Sequence, residues 1–92
     1  MDTVLETATT RDIEELMKIE RECFAAEAYT RGQILSLLSS RNSLALMARA
    51  DNDVTGFAIG VLETIGRMKV GHIVTIDVAV KHRRRGVARI LL

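Results

Sequence analysis

The chain has 92 residues, enough for one small domain around one hydrophobic core. Apolar residues make up 48% and aromatics only 3%, so that core must be aliphatic. No apolar run approaches the roughly 20 residues of a membrane span, the acidic N-terminus lacks the apolar stretch of a secretory signal, and a lone cysteine, Cys23, excludes an internal disulfide.

A cytoplasmic protein is therefore the expectation. The net charge of +1 hides an asymmetry: residues 1–30 hold eight acids against three bases, and residues 64–92 hold seven Lys/Arg against one acid, Asp77. A basic C-terminal third points to an anionic ligand, whether nucleotide, phosphorylated cofactor or nucleic acid.

Val4–Ala8 reads as a first strand. Thr9 and Thr10 can cap a helix over Arg11–Phe24, with Asp12, Glu14 and Glu15 near its positive end and Ile13, Leu16, Met17, Cys23 and Phe24 as its apolar stripe. Ala25–Tyr29 is a break. Thr30-Arg31-Gly32-Gln33 is a capping-box pattern, and Ile34, Leu35, Leu37 and Leu38 continue it as a second helix. Leu44–Ala50 and Val54–Glu63 read as strands joined by a tight turn at Asp51-Asn52-Asp53. On the latter strand Phe57, Ile59 and Val61 face one way, and Gly56, Ala58 and Gly60 the other, leaving room for a close neighbour such as a helix.

Gly66–Gly71 reads as a loop. His72–Val80 alternates cleanly, with Val74, Ile76, Val78 and Val80 on one face and Ile73, Thr75, Asp77 and Ala79 on the other. A basic loop, Lys81–Arg85, leads into a helix starting at Gly86. Unpaired N–H groups at such a turn, with glycine allowing close approach, suit a pyrophosphate, although neither of the common phosphate-loop patterns is present. The order β-α-α-β-β-β-α makes an α/β or α+β sheet with helices packed on it.

The stretch TIDVAVKHRRRGVARILL resembles the acetyl-CoA-binding core of the GCN5-related N-acetyltransferases, whose signature Arg/Gln-x-x-Gly-x-Gly/Ala is met by Arg83, Gly86 and Ala88. CFAAEAYT, VTGFAIGVLE and GHIVTIDV extend the likeness over the whole chain. Within the family it is most similar to protein N-terminal acetyltransferases of the ribosomal-protein alanine type and their archaeal relatives. The resemblance implies a mostly antiparallel sheet flanked by helices, with residues 1–92 forming the N-terminal half of that fold as a single partial domain.

It also implies roles. Main-chain groups of Ile76, Asp77 and Val78 would pair with the pantetheine arm of acetyl-CoA, and an N–H near Val78 would polarise the thioester carbonyl. Arg84, Arg85, Gly86, Val87 and Ala88 would hold the pyrophosphate, with Arg83 and Arg89 close by. Glu63 is the first candidate for base or amine-binding carboxylate and Glu27 the next, and Tyr29 with Glu27 would shape the acceptor site; the plainer alternatives are a solvated strand end, a helix cap and a half-buried aromatic. His72 precedes the central strand as a possible proton relay or a structural histidine, and Cys23 reads as a core thiol.

The family pattern continues past residue 92 with further strands and a helix that wall the cofactor cleft and commonly supply a tyrosine general acid. The expectation is accordingly a chain lacking that part, its last strand left as an edge and paired with a second copy. The leading function is an acetyl-CoA-dependent N-acetyltransferase acting on a primary amine, most readily a protein N-terminal α-amine. The alternative is a non-catalytic acyl-CoA-binding or regulatory half-domain. A metal, a membrane and nucleic acid are not expected partners, the last because the basic run has no interleaved aromatics to stack on bases.

Overall fold

The structure, a computed structural model, describes residues 3–83 and 86–91. Its elements are β1 (Thr3–Thr7), α1 (Ile13–Phe24), α2 (Arg31–Ser39), β2 (Ser43–Ala50), β3 (Asp53–Ile65), β4 (Met68–Val78) and α3 (Val87–Leu91), with 3-10 turns at Thr10–Asp12, Ala25–Glu27 and Val80–His82. The order β-α-α-β-β-β-α is the one expected. The four strands form a single antiparallel sheet in the order β1-β2-β3-β4, so β4 is an edge.

Local chemistry starts both long helices. Thr9 and Asp12 form a capping box ahead of α1, with the Thr9 N–H donating to Asp12 Oδ2 at 2.8 Å. The predicted box at α2 is formed too: Gln33 N–H donates to Thr30 Oγ1 at 3.1 Å, and Thr30 N–H donates to Gln33 Oε1 at 2.8 Å. α1 and α2 cover one sheet face. Ile13, Leu16, Met17 and Ile34 meet Ala45, Met47, Phe57 and Ile59 there in the main core. The opposite face carries α3, whose Val87 and Leu91 pack on Ala48, Leu46, Ala58 and Val78.

The small-residue face of β3 thus receives a helix, as its pattern suggested. At Gly56 the approach is extreme: a Cβ there would stand 2.6 Å from the Asp77 carbonyl oxygen and 3.0 Å from Val87 Cγ1.

Three details differ from the sequence reading. The Gly66–Gly71 loop is mostly strand, because Gly66, at φ +62, closes a two-residue turn and Ile65 pairs with Met68. The alternation of β4 is interrupted. Thr75 pairs with Ile59 but Ile73 pairs with Gly60, so Val74 is an extra, bulged residue, and Ile73 moves to the α3 face with Ile76. Val80 leaves the strand for the 3-10 turn and is exposed. The buried face of β4 is the polar one, Thr75, Asp77 and Ala79, which lies against α1. The valine and isoleucine face is half-buried because it borders an open groove.

Candidate functional site

The groove runs along the end of β4 between α1 and α3. It has a volume of about 500 Å³ and is lined by Cys23 and Phe24 from α1, Ile76 and Val78 from β4, and Arg83, Gly86, Val87 and Ala88 from the turn into α3. Gly86 has φ +77, a conformation that disfavours a side chain, and its carbonyl accepts the first hydrogen bond of α3, from Ile90 N–H at 3.1 Å. A Cβ on Gly86 would meet no protein atom within 4 Å, so the backbone there faces open space. These properties fit a bulky anionic group laid against the turn.

The β4 main chain is oriented for the same occupant. The Val78 carbonyl points away from β3 and accepts from Cys23 Sγ at 3.4 Å and from Arg83 Nε at 3.3 Å. The next residue points back, with Ala79 N–H donating to the Thr55 carbonyl at 2.9 Å. Strand alternation therefore turns the main chain of Ile76 and Val78 to the open edge and that of Asp77 toward Phe57 of β3. Arg83 folds over the strand end, its Nη2 donating to Cys23 Sγ at 3.4 Å.

A second cleft, about 450 Å³, adjoins the first and shares Phe24 and Ile76 with it. Its other lining residues are Glu20, Glu27, Tyr29, Ile73, Val74 and Thr75. Glu27 and Tyr29 are thus brought together, next to the groove holding Ile76, Val78, Arg83, Gly86, Val87 and Ala88. Arg89 lies exposed on α3 outside the groove lining. Arg84 and Arg85 lie outside the described residues.

Glu63 lines neither cleft. It sits on the outer part of the β3–β4 hairpin, where its Oε2 is 3.4 Å from His72 Nε2, and both side chains are half-exposed. His72 borders a third hollow of about 430 Å³, lined by Leu44, Leu62 and Ile73 with Arg41, Asn42 and Ser43 at one end.

The side chains of Asp77, Glu20 and Thr75 were not anticipated as a group. Asp77 and Glu20 are fully buried, 0% and 1% exposed. Glu20 reaches from α1 under the sheet: its Oε1 accepts from Thr75 Oγ1 at 3.5 Å, and its Oε2 accepts from Tyr29 N–H at 3.0 Å. Thr75 Oγ1 also bonds Asp77 Oδ1, while Asp77 Oδ2 has no partner among the described residues. Burial, reinforced by the hydrogen-bonded and charged Glu20 carboxyl and opposed by Thr75, raises the Asp77 pKa from 3.8 to about 7. The signal was available in the sequence: a threonine and an acid on one face of an otherwise apolar strand, in a segment with no other acid.

Comparison with known proteins identifies the architecture. The sequence pattern of the acetyltransferase (GNAT) family matches residues 13–92. The chain belongs to this family. No protein of curated function matches it by sequence.

Among solved structures it is similar to a ribosomal-protein-alanine N-acetyltransferase from Brucella melitensis biovar Abortus 2308, with 26% identity, TM-score 0.77, and coverage of 98% of this chain and 66% of that one. An aminoglycoside acetyltransferase from an uncultured soil metagenomic sample, solved with sisomicin, has the same fold at 15% identity and TM-score 0.78, with coverage of 97% and 64%. So does the glucosamine N-acetyltransferase region of a fungal multi-domain beta-N-acetylglucosaminidase, at 16% identity and TM-score 0.86, with coverage of 98% and 11%. The chain therefore spans about two thirds of the length of the Brucella enzyme.

Proposed function

We propose that the protein binds acetyl-CoA in the β4–α3 groove and transfers the acetyl group directly to a primary amine, with the α-amine of a protein N-terminus as acceptor. The observation that carries this reading is the groove itself. An outward-facing main chain at Ile76 and Val78 and an open glycine turn at Gly86 converge on one channel, which leads into a cleft bearing Glu27 and Tyr29. Family membership supports the transfer chemistry. The protein N-terminal acceptor is supported by the 26% identity with the Brucella enzyme over nearly the whole chain.

In this reading the Ile76 and Val78 main chain pairs with the pantetheine amides like an added strand. Residues Arg84 to Ala88 take the pyrophosphate, with Arg83 and Arg89 adding positive charge. The Val78 N–H polarises the thioester carbonyl. Glu27 accepts the proton of the acceptor ammonium, freeing a nitrogen lone pair to attack the carbonyl carbon. The C–S bond then breaks and the CoA thiolate leaves, taking up the second proton that the attacking nitrogen sheds as the amide forms. Glu63 is the second candidate for the amine-binding carboxylate, at the hairpin beyond the cleft.

The test is calorimetric titration of the protein with acetyl-CoA, beside a Gly86→Glu variant, followed by assay of CoA release with N-terminal peptides. Saturable binding lost in the variant, with CoA released on adding peptide, supports the full proposal. Binding with no CoA release under any peptide would make the chain an acyl-CoA-binding module. Absence of binding by either protein would remove the acetyl-CoA site. The same open strand edge can pair with a second copy of the chain, so light scattering with and without acetyl-CoA tests a dimer that the ligand would dissociate.

A further inference from the structure

The acceptor-side loop is held in an unfavourable shape. Ala25, the first residue after α1, has φ 49 and ψ −118, a conformation that costs a non-glycine residue roughly 1–3 kcal/mol. The loop that follows is closed on itself by Ala28 N–H donating to the Ala25 carbonyl at 3.1 Å and is tied to α1 by the hydrogen bond from Tyr29 N–H to Glu20 Oε2. Glu20 is buried, and no Lys, Arg or His lies within ion-pair distance of it among the described residues. Its neighbour across Thr75 is a second buried carboxyl, Asp77.

Hydrogen counting decides the state of this trio. Thr75 has one hydroxyl hydrogen and touches a carboxyl oxygen on each side. With both acids ionised, that hydrogen serves one of them, and the other faces an oxygen lone pair beside a like charge. With one proton on Asp77 every hydrogen has a place: the Asp77 carboxyl donates to Thr75 Oγ1, the Thr75 hydroxyl donates to Glu20 Oε1, and Tyr29 N–H donates to Glu20 Oε2. Two carboxyls this close and this dry do not both ionise readily.

We propose that Glu20 is a positioning residue of the acceptor cleft, fixing the loop through the Tyr29 backbone, and that its hold on Tyr29 is firm only while Asp77 carries a proton. The proposal deepens the acceptor-site reading, and rests on it for its effect on catalysis. Among the described residues, no cation lies within ion-pair distance of either carboxyl of the trio. The loop contributes Glu27 and Tyr29 to the same cleft, α1 contributes Cys23, whose thiol is engaged by Val78 and Arg83, and β3 contributes apolar Phe57 and Ile59 opposite Asp77 and Thr75. Raising the pH through about 7 ionises Asp77, sets a second negative charge beside Glu20, and loosens the loop. The consequence is a loss of acceptor affinity with rising pH that the acetyl-CoA groove does not share.

The test is a pH titration followed by NMR at the Tyr29 backbone and the Asp77 and Glu20 carboxyl carbons, in the wild type, Asp77→Asn and Glu20→Gln. Asparagine keeps a neutral donor toward Thr75, so Tyr29 should titrate with a midpoint near 7 in the wild type and stay flat in Asp77→Asn. Glutamine at position 20 removes the like charge while burial remains, so the Asp77 midpoint should fall below its wild-type value without reaching the ordinary carboxyl range, and Tyr29 should no longer titrate near pH 7. This second variant keeps the test decisive if Asp77→Asn does not fold. In peptide assays the acceptor KM should rise across pH 7 in the wild type and not in Asp77→Asn, with acetyl-CoA Kd constant in both. A Tyr29 signal that does not titrate in the wild type, or that titrates near pH 7 in Asp77→Asn as it does in the wild type, overturns the proposal. The NMR outcome is independent of turnover: a titrating Tyr29 in a protein that releases no CoA would count against the acceptor reading alone.

Discussion

Replacing Gly56 with alanine tests whether the β4–α3 groove, and the acetyl-CoA binding proposed for it, depends on the intimate contact of β3 with both β4 and α3. The added methyl would lie 2.6 Å from the Asp77 carbonyl oxygen, 3.4 Å from Val78 Cα and 3.0 Å from Val87 Cγ1. Two of these three neighbours are backbone of β4, which no rotamer change can withdraw. The strands must part by several tenths of an ångström, or the chain must twist at Gly56. Overpacking of a tight site costs about 1–3 kcal/mol, and a backbone obstruction belongs in the upper half of that range.

A domain of this size has a total stability of only about 5–10 kcal/mol, so a loss of 2–3 kcal/mol would be plain in a urea unfolding curve. The displaced atoms are those that set the Val78 edge and seat Val87, so acetyl-CoA affinity should fall as well. Gly66→Ala is the control: its Cβ would meet nothing within 4 Å, and its φ of +62 costs about 1 kcal/mol without touching the groove. A Gly56→Ala protein within 0.5 kcal/mol of wild type (about the scatter of neutral surface changes), or one clearly destabilised with unaltered acetyl-CoA affinity, would refute the reasoning.

Other perturbations separate the parts of the fold. Leu16→Ala, which empties a fully buried position of the α1–sheet core, should cost about 2–5 kcal/mol in urea unfolding, with no specific effect on acetyl-CoA binding beyond that loss. Ala25→Gly should stabilise the protein by about 1 kcal/mol in the same assay, because glycine relieves the φ of 49, while leaving the acceptor loop less ordered by hydrogen exchange. Because the Asp77 pKa is raised in the folded state, the native protein holds a proton that the unfolded chain releases between pH 3.8 and about 7. Its contribution to stability is therefore fully present below 3.8 and is lost as pH rises through about 7, on the order of 4 kcal/mol in all. Urea midpoints of wild type and Asp77→Asn across that window should diverge, with the asparagine variant lacking the decline.

Much of the architecture is legible in the residues because local signals agreed with the global fold. The two capping boxes, the aspartate-rich turn before β3 and the glycine-alanine face of that strand each specify one structure cheaply. What eluded the pattern was non-local. A period-two reading assigns Ile73 to the face of Thr75 and Asp77, and the bulge at Val74 overturns it, since a bulge is set by pairing with Gly60 and Ile59 rather than by the strand's own composition. The groove residues from Arg83 onward follow a local motif and could be named in advance. Cys23 and Phe24 enter the same groove from a helix some fifty residues earlier in the chain, and only the packing of α1 against β4 brings them there.

The same distinction explains why Asp77 escaped notice as a side chain while its backbone was expected at the cofactor edge. A strand residue offers its main chain along the sheet and its side chain across it, and the two can serve different partners. At Asp77 the main chain joins β3, the flanking Ile76 and Val78 present theirs to the open edge, and the carboxyl drops into the layer beneath, against Glu20. Through Glu20 that carboxyl reaches Tyr29 on the neighbouring cleft. The strand that would hold the acyl donor therefore carries, on its buried face, the group that would set the loop shaping the acceptor cleft. An acid here is costly in stability terms, and an apolar residue of similar size would remove that cost. Its presence makes physical sense if the trio's proton is used, which ties the energetic penalty at Asp77 to the geometry at Tyr29.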